Sequence, residues 1–387
     1  MADGGARKSI RFLFVGDPRF DRRIRNLVSL FVRAGWRIEL FYGSVTPTEG
    51  TLDGVSAMVH IKPSAPSGPR FFFSYDRLLT TYLRNAPPVD VTVVSDLFGL
   101  RAAARTKPGK SLLVYDAREV YTQLPAVEGS QLKQWFWKQW ERRGLGQTDL
   151  VVTTAPLDGD VIKAVHGTLP PTVVLKNMPS EADMDSRSID LRSALGIGRD
   201  RALLVYVGGL QQGRGLVTTI EALQQIPEAD LVLIGTGAFT DTLREASARA
   251  GLASRTHFYG PAHAADVLPL LRSADVGISL IERTSGSYRL ALPSKVFEYL
   301  HAGLPVVSSP LEQVQMCIGE QPYLFYADEN DLAAVVRAIR NALDASTASG
   351  MRERIASDAR AHYTFEHDAV TLLEQIERMT SHEPPVA

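Results

Sequence analysis

The stretch LLVYVGGLQQGRGLVTTIEAL, residues 203–223, decides the fold of the second half of the chain. Its first five residues, 203–207, form an apolar run that ends in a glycine-rich turn, and a helical period opens directly after the turn. A strand, a turn and a helix in this order are typical of a parallel α/β sheet. Glycines also let backbone N–H groups approach an anion, and an arginine side chain matches phosphate oxygens. We therefore expect Gly208, Gly209 and Arg214 to contact a diphosphate. A turn that only eases packing, with Arg214 in solvent, is the alternative.

Apolar runs alternate with helical periods along the whole chain. In residues 22–34, for example, apolar side chains recur at spacings of three and four before a glycine, which is typical of a helix with one buried face. This alternation predicts an α/β fold of two Rossmann-like, doubly wound domains that face each other across a cleft, with ligands beyond the carboxyl ends of the strands. The expected strands are 10–15, 38–42, 91–94, 112–115 and 150–153 in the first domain, and 203–207, 231–234, 257–259, 276–280 and 305–307 in the second.

Length and polarity place the domain boundaries. A chain of 387 residues exceeds the usual size of a single core, so two domains are expected. The polar stretch 178–187 interrupts the alternation and is taken as the linker. We therefore expect one Rossmann-like domain at 9–178 and a second at 190–362. A last helical period within 363–380 follows the point where the second sheet is complete, so we expect it to pack elsewhere.

The composition, 45% hydrophobic and 22% charged, is that of an ordinary globular protein. No apolar run approaches the roughly 20 residues that a membrane span needs, and residues 1–8 lack the apolar core of a signal peptide. The single cysteine, Cys317, excludes an intramolecular disulfide and a cysteine-based zinc cluster. Together these features predict a cytoplasmic protein.

The charge is unevenly distributed along the chain. Residues 1–180 carry 24 Lys and Arg against 16 Asp and Glu, whereas the remainder carries 18 against 27. The basic half predicts an anionic partner, either a phosphate-bearing acceptor or the anionic inner face of a membrane, and a solvated basic face is the alternative. Aromatic residues beside cations in 71–75 and 135–143 are typical of helices that lie on membrane surfaces, although such rings more often pack in a core.

A second candidate binding element begins after Pro293. Pro293 suits the start of a helix and Gly303 its end, so we expect a short helix over 294–302. Lys295 and the backbone N–H groups near Ser294 are suited to phosphate, and a carboxylate on the same face can accept hydrogen bonds from a diol such as ribose. A solvated helix face is the alternative. The residues expected on this polar face are Ser294, Lys295, Glu298 and His301, opposite Val296, Phe297 and Leu300.

Six segments, in this order, resemble the retaining family-4 glycosyltransferases (glycosyl transferases group 1), which have the GT-B fold. They are YVGGLQQGRGL (206–216), LVLIGTGA (231–238), HFYGPAHAADVLPLLRSADV (257–276), DVGISLIE (275–282), LPSKVFEYLHAGLPVV (292–307) and HYTFEHDAVTLLEQI (362–376). The resemblance implies that Arg214 contacts the diphosphate of a sugar donor, Glu298 the ribose, and the strand end at Phe258 and Tyr259 the base. It also implies that the last helix crosses back to the N-terminal domain, which would be the acceptor side.

As an activity, the resemblance implies a hexosyltransferase that moves a sugar, with retention, from a UDP- or GDP-sugar to a glycan or glycolipid acceptor in cell-surface polysaccharide or glycolipid biosynthesis. It implies no further cofactor, and we expect no nucleic-acid partner. Arg214, Lys295 and the glycine turn would stabilise the charge that develops on the leaving phosphate.

Three positions depart from the family pattern. Many relatives have a basic residue at Gly209, so Lys295 is expected to supply the missing cation. Relatives often have a glutamate eight positions before Glu298, where this chain has Leu290. In YDAREVYT (115–122), Arg118 stands where relatives often have histidine. Arg118 and Glu119 are therefore candidates for ordering the transferred sugar or the acceptor, and a structural ion pair at the end of a strand is the alternative.

Other polar groups are weaker candidates. Asp17 or Arg19, directly after the first strand, could touch an acceptor or a phosphate, but a turn that leads to a helix cap at Asp21 explains the stretch almost as well. Two acidic pairs resemble metal ligands only loosely, so we expect surface carboxylates and no essential metal. These pairs are Asp158 with Asp160 and Asp183 with Asp185.

Two other functions compete with the transferase. The departures from the family pattern are compatible with a nucleotide-sugar-binding protein that has lost catalysis. A sugar-nucleotide epimerase of similar fold would need acid and base groups in the cleft, and His257, His263 and His301 form no evident pair. A dehydrogenase is disfavoured because the glycine turn is not G-x-G-x-x-G.

Overall fold

The computed structural model describes residues 7–47, 50–184 and 187–381. Packing divides these residues into two compact units. Unit 1 comprises the described residues up to Lys176 together with those from Asp368 onward, and unit 2 comprises the described residues in between. The polar stretch 178–187 begins inside unit 2, where Met178 is buried in the core.

In the described part of unit 1, seven strands form one parallel sheet. They are β1 (Ser9–Val15), β2 (Arg37–Gly43), β3 (Val55–Ile61), β4 (Val91–Ser95), β5 (Leu112–Ala117), β6 (Leu150–Thr153) and β7 (Thr172–Val174). Their order is β3-β2-β1-β4-β5-β6-β7, so the chain switches direction between β1 and β4. The two strands missing from the sequence prediction are the edge strands: β3 is largely exposed or half-buried, and β7 is three residues long.

The helices of unit 1 before the linker are α1 (Arg22–Arg33), α2 (Gly68–Asn85), α3 (Leu100–Thr106), α4 (Gln131–Leu145) and α5 (Pro156–His166). The two aromatic stretches lie on α2 and α4, and their rings divide between the core and the surface. Tyr75 and Trp140 are buried, whereas Phe73 and Trp135 are 49% and 59% exposed. Phe73 also packs edge-on against Trp140, with ring centres 5.6 Å apart.

In the described part of unit 2, six parallel strands form the second sheet. They are β8 (Ala202–Val207), β9 (Ala229–Ile234), β10 (Thr256–Gly260), β11 (Val276–Ser279), β12 (Val306–Ser308) and β13 (Leu324–Tyr326). Their order is β10-β9-β8-β11-β12-β13, which places the switch point between β8 and β11. The predicted doubly wound α/β class is therefore confirmed for both units, and the short edge strand β13 was missed.

The remaining described helices lie in unit 2, except for most of the last one, α15. They are α6 (Leu191–Leu195), α7 (Leu216–Leu223), α8 (Thr240–Arg249), α9 (Ala264–Leu271), α10 (Gly286–Arg289), α11 (Ser294–His301), α12 (Glu312–Ile318), α13 (Leu332–Thr347), α14 (Met351–His362) and α15 (Phe365–Thr380). Alternate residues of β8 point to opposite faces, as the twofold period of a strand requires. Val205 packs in one apolar cluster with Val296 of α11, and Leu204 packs in the other with Ile220 of α7.

The last helix, α15, joins unit 1 from Asp368 onward. The Asp368 carboxylate accepts hydrogen bonds from the backbone N–H and the ammonium of Lys176, at 2.9 and 2.8 Å. Further along, Leu372 and Ile376 line a small apolar cavity with Leu27 of α1. Among the described residues, no helix combines the length and the apolar character that crossing a bilayer would demand.

Candidate functional site

The glycine-rich turn follows β8 at the switch point of the second sheet, where open α/β sheets place their ligands. Gly208, Gly213 and Gly215 have φ values of +133°, +84° and +60°. These values lie in the left-handed region, which glycine adopts without the strain that a side chain would introduce. The local path of the chain therefore depends on glycine at these three positions.

A second glycine segment, between β9 and α8, packs against the backbone of the turn. A Cβ atom on Gly235 would lie 2.0 Å from the Gly208 carbonyl oxygen, and one on Gly237 would lie 2.1 Å from that of Leu210. The Leu210 N–H donates to the Thr236 carbonyl at 3.1 Å. This close approach of two backbones explains the motif LVLIGTGA, whose supporting role the sequence interpretation had not assigned.

Helix α11 places the Lys295 side chain next to the glycine turn. The Lys295 ammonium lies 3.7 Å from the centre of the Tyr206 ring, and a Cβ on Gly208 would be only 3.3 Å from it. Burial lowers the pKa of Lys295 well below its ordinary value, and the positive charge of Arg214 lowers it further, while Glu298 acts in the opposite direction. Lys295 and Arg214, predicted from two separate motifs, thus lie within electrostatic reach of each other, and Lys295 lies beside Gly208.

The polar face of α11 is buried, and it is not the solvent-exposed face that was the alternative. Lys295, Glu298 and His301 are all buried, at 9%, 7% and 4% exposure. His301 is held by structure, since its Nε2 bonds to the Tyr363 carbonyl at 2.8 Å. Ser294 is half-buried at the first turn, where the backbone N–H groups of a helix have no partner within the helix. The helix therefore presents a cation, a carboxylate and N–H groups from a buried position.

Arg214 is the second cation of the turn. Its guanidinium carbon lies 4.9 Å from the centre of the Tyr288 ring. Within the described residues, neither Arg214 nor Lys295 forms a hydrogen bond or an ion pair through its charged group. Two neighbouring positive groups without a bonded carboxylate create a strongly positive local potential, which favours an anion of high charge.

Phe258 and Tyr259 are half-buried at the end of β10, the edge strand of the second sheet. Arg244 of α8 lies over the Phe258 ring, with its guanidinium carbon 4.1 Å from the ring centre. The Gly235 N–H donates to the Gly260 carbonyl at 2.8 Å, so the end of β10 is tied to the segment that supports the glycine turn.

In unit 1, Arg118 follows β5 and forms an ion pair. Its guanidinium lies 2.7 Å from the Asp21 carboxylate, which also caps α1 by accepting from the Ile24 N–H at 2.8 Å. Burial alone would lower the pKa of Arg118, but the charges of Asp96 and Asp21 outweigh it, and the pKa is raised. Glu119 is exposed. The ion pair that was the alternative for Arg118 is thus present, together with the predicted helix cap at Asp21.

Asp96, which follows β4, was missed by the sequence interpretation. It is a non-glycine residue with a positive φ, +74°, and such strain is typically maintained at functional sites. Its carboxylate accepts from the Tyr121 hydroxyl at 2.9 Å and lies 3.9 Å from the Arg118 guanidinium. Burial raises the pKa of Asp96, against the lowering effect of Arg118. The only sequence signal was its place as the first charged residue after a buried strand beside the switch point.

The weaker candidate residues form hydrogen bonds or ion pairs with residues close to them in the sequence. Asp17 and Arg19 pair with each other at 2.8 Å. Asp158 is not a surface carboxylate as predicted: it is 6% exposed and accepts from the Thr154 hydroxyl at 2.9 Å. Asp183 accepts from the Ser180 backbone and hydroxyl, and Asp185 lies outside the described residues. Across the described ranges, no group of three or more His, Cys, Asp or Glu side chains could hold a metal ion.

Solved structures share this architecture across nearly the whole chain. Sucrose-phosphate synthase from Thermosynechococcus elongatus matches with a TM-score of 0.80 at 18% identity, covering 97% of this chain and 100% of that one. HepE from Anabaena, solved in complex with UDP-glucose, matches with a TM-score of 0.66 at 17% identity, covering 96% and 100%. These matches confirm the predicted GT-B fold, the two-domain architecture of many glycosyltransferases.

Sequence comparison finds a family match over part of the chain. Residues 201–345, which contain the glycine turn and α11, match the family Glycosyl transferases group 1. The lipopolysaccharide core biosynthesis glycosyltransferase LpsE of Rhizobium meliloti (strain 1021) is 27% identical over 184 residues, or 46% of this chain. That match spans about half the length of this curated relative, 50%. The resemblance to the glycosyl transferases group 1 that the motifs carry is confirmed by the match over residues 201–345.

Proposed function

We propose that this protein is a glycosyltransferase that moves a sugar, with retention of configuration, from a nucleoside-diphosphate sugar to a glycan or glycolipid acceptor. The observation that carries the proposal is the pair of buried or half-buried cations, Lys295 and Arg214, beside the glycine turn, without a bonded carboxylate in the described residues. A diphosphate supplies the charge that this pair lacks, and the turn supplies N–H groups within reach of it.

The same groups suit the chemistry of transfer. When the bond between the sugar and the phosphate breaks, negative charge grows on the leaving phosphate oxygens while the sugar becomes oxocarbenium-like. Arg214 and Lys295 lower the energy of that state because they are positioned before the charge develops. Glu298, buried one turn beyond Lys295, would accept hydrogen bonds from the ribose diol, and Phe258 and Tyr259 would contact the base.

The donor is proposed to be a UDP- or GDP-hexose. HepE, a protein of the same fold, was solved with UDP-glucose, which supports the UDP alternative. LpsE, which matches part of the chain, is described as acting in lipopolysaccharide core biosynthesis, which supports an acceptor in cell-surface polysaccharide or glycolipid assembly.

Unit 1 would supply the acceptor side. Asp96, Arg118 and Glu119 follow adjacent strands beside the switch point of the first sheet, where open α/β sheets place their ligands, and we assign them to the sugar hydroxyls of the acceptor. Glu119 is better able than Arg118 to accept a proton, since the Arg118 guanidinium stays charged. Asp96 is a further candidate because its backbone strain is maintained next to both.

An anionic membrane surface is the proposed docking partner, at the cytoplasmic face. The exposed charged side chains of α2 and α4 are all basic, because their carboxylates, Asp76 and Glu141, are each 3% exposed. Large apolar side chains are exposed among these cations, as they are on helices that lie in a membrane interface. We call this surface the aromatic–basic face; it comprises Arg70, Phe73, Arg77, Arg84, Leu132, Trp135, Arg142 and Arg143.

The proposed function is tested by nucleotide binding followed by turnover. Thermal stabilisation is measured with UDP, GDP, ADP and CMP, since a ligand at 100 times its Kd adds about 2.7 kcal/mol. Sugar conjugates of the best nucleotide are then assayed for nucleotide release in wild type, Arg214→Ala and Glu298→Ala. Arg249→Ala is the matched control, because Arg249 is exposed on α8 and pairs only weakly with Glu245, at 3.7 Å. Loss of release in the first two variants alone supports the transferase; failure to bind any nucleotide refutes it.

One observation favours a second candidate, a nucleotide-sugar-binding protein without catalysis. Arg118, at a position where relatives often have histidine, is engaged with Asp21 and cannot act as a base. Selective nucleotide binding without release, even with acceptors supplied, would favour this candidate. The epimerase is not proposed, because His257 and His301 are bonded to Asp230 and to the Tyr363 carbonyl.

A further inference from the structure

Lys295 and Arg214 are like charges in one site, and each lies against a tyrosine ring. The ring centres of Tyr206 and Tyr288 are 3.7 Å from the Lys295 ammonium and 4.9 Å from the Arg214 guanidinium carbon. The face of an aromatic ring carries partial negative charge and attracts a cation. Unlike a carboxylate, the ring does not neutralise that cation, so the full positive charge remains for a ligand.

Tyr288 is itself fixed by the segment that precedes α11. Its backbone N–H donates to the Ser285 hydroxyl at 3.2 Å, and Ser285 is 4% exposed. The Glu282 N–H donates to the Gly213 carbonyl at 2.9 Å, which joins this segment to the glycine turn. A Cβ on Gly213 would lie 2.5 Å from the Tyr288 ring. The ring is therefore held against the backbone at Gly213 while its face is turned to Arg214.

Tyr206 connects the other cation to the same turn. Its side chain is completely buried on β8, and its hydroxyl donates to the Gly209 carbonyl at 2.9 Å. One residue thus supports the Lys295 ammonium through its ring and the turn through its hydroxyl. The Lys295 ammonium itself lies beside the preceding residue, 3.3 Å from the place that a Cβ on Gly208 would take.

We infer that Tyr206 and Tyr288 are positioning residues, which hold Lys295 and Arg214 in place for the donor diphosphate without cancelling their charge. The inference rests on the proposed donor-binding function. In the absence of an anion, two repelling cations on flexible stems would otherwise spread over many conformations, and ordering them on binding would weaken affinity. The rings maintain the order before the ligand arrives.

The test is a double-mutant cycle on Tyr288 and Arg214, with binding measured by calorimetry. The probes are UDP, GDP and inorganic pyrophosphate, which has no base. Tyr288→Leu is expected to weaken binding of the best nucleotide and of pyrophosphate by about 5- to 30-fold, the range of a desolvated cation–π contact, while Tyr288→Phe stays within about 2-fold of wild type. In the Arg214→Ala background, Tyr288→Leu should add less than about 2-fold, because the cation that it positions is gone.

Tyr206 is tested separately because Tyr206→Leu removes a core ring and is expected to unfold part of unit 2. Tyr206→Phe keeps the ring and loses only the hydrogen bond to Gly209, so its pyrophosphate affinity should stay within about 3-fold of wild type. Folding of every variant is checked by thermal unfolding. Tyr323→Phe is the matched control for loss of a tyrosine hydroxyl. Tyr323 directly precedes β13, and its hydroxyl donates to the Asp358 carboxylate.

The outcomes separate the inference from the function on which it rests. Equal effects of Tyr288→Leu with and without Arg214, or a loss in Tyr288→Phe as large as in Tyr288→Leu, would overturn the positioning role while leaving donor binding intact. If the folded wild-type protein bound none of the three probes, the proposed function and this inference would both be refuted.

Discussion

Lys295 and Tyr206 form a cation–ring pair, in which the ammonium of a lysine that is 9% exposed lies 3.7 Å from the centre of a completely buried tyrosine ring. Burial raises the pKa of Tyr206 to about 12, so the ring is a neutral phenol at physiological pH. The same burial lowers the pKa of Lys295, and Arg214 lowers it further. The pair is thus a cationic site whose charge is held at a free-energy cost until an anion arrives.

Diphosphate binding is therefore expected to take up protons. The pKa of Lys295 lies below 10.5 in the free protein, and a bound diphosphate raises it. At a pH between these two pKa values, Lys295 is partly neutral in the free protein and charged in the complex. The affinity for diphosphate therefore falls as pH rises through this window. The measurement is calorimetry above about pH 8, where the phosphates are fully ionised, in two buffers of different ionisation enthalpy.

Lys295→Arg is the control for that measurement, because arginine does not titrate in this range. It should bind diphosphate without net proton uptake. Equal uptake in wild type and Lys295→Arg would assign the protons to another group and contradict the interpretation of Lys295.

Lys295→Met is expected to stabilise the free protein while it weakens diphosphate binding. Below its lowered pKa, Lys295 is charged in both the folded and the unfolded state, and the folded state bears the whole penalty of burying that charge. Methionine fills a similar volume without charge, so we expect a gain of about 1 kcal/mol in the free energy of unfolding. Chemical denaturation over a series of pH values, without nucleotide, measures the gain.

The gain should shrink as pH rises, because the folded wild-type protein then releases the proton and relieves its own penalty. Lys110→Met, at an exposed lysine before β5, is the surface comparison, where no such gain is expected. A loss of stability in Lys295→Met would show that the surroundings of the ammonium stabilise it by more than its burial costs.

Gly235→Ala is expected to damage the glycine turn by displacing its backbone at Gly208. At φ +138°, the new methyl would lie 2.0 Å from the Gly208 carbonyl oxygen, so one of the two backbones must move. We expect a loss of about 2 kcal/mol or more in stability and a clear loss of nucleotide affinity, since the displaced residue begins the glycine turn.

Gly251→Ala separates this clash from backbone strain alone. Gly251 also has a positive φ, +71°, but a Cβ there meets no atom within 4 Å. It should lose about 1 kcal/mol of stability and keep wild-type nucleotide affinity. Similar affinities for UDP or GDP in the two variants would mean that the Gly208 carbonyl does not set the geometry of the site.

The sequence predicts the framework of the site well because that framework depends on local signals. The strand before Gly208 and the helix after Pro293 follow from apolar runs, glycines and prolines over a few residues, and the structure places both as expected. Edge strands such as β7 and β13 escaped detection because three residues give too little periodicity.

What could not be predicted depends on residues far apart in the sequence. The burial of Lys295 and Glu298 arises because α11 packs against both the second sheet and α14, whereas helical periodicity alone identifies one apolar face. Tyr288 meets Arg214 across more than 70 residues, and no pattern in either segment indicates a partner. The strained backbone of Asp96 is set by its surroundings, so its sequence neighbours carry no sign of it.

The aromatic–basic face of unit 1 is expected to bind anionic vesicles. Its cations attract acidic headgroups, each contributing about 1 kcal/mol near the surface, and Leu132 and Trp135, 75% and 59% exposed, can enter the interface. Wild-type protein should co-sediment with phosphatidylglycerol-containing vesicles but not with neutral phosphatidylcholine vesicles, and salt should weaken the binding.

Substitutions on this face test the two contributions separately. Arg142→Gln with Arg143→Gln should weaken vesicle binding by about 10- to 30-fold, and Leu132→Ser with Trp135→Ser should weaken it even at low salt. Arg337→Gln with Arg340→Gln, which removes two exposed cations from α13 of unit 2, is the matched control for charge. Nucleotide affinity should be unchanged in all three, since none alters the glycine turn or α11. If the control lost as much vesicle binding as the α4 pair, the attraction would be that of overall charge, and the aromatic–basic face would not be the docking surface.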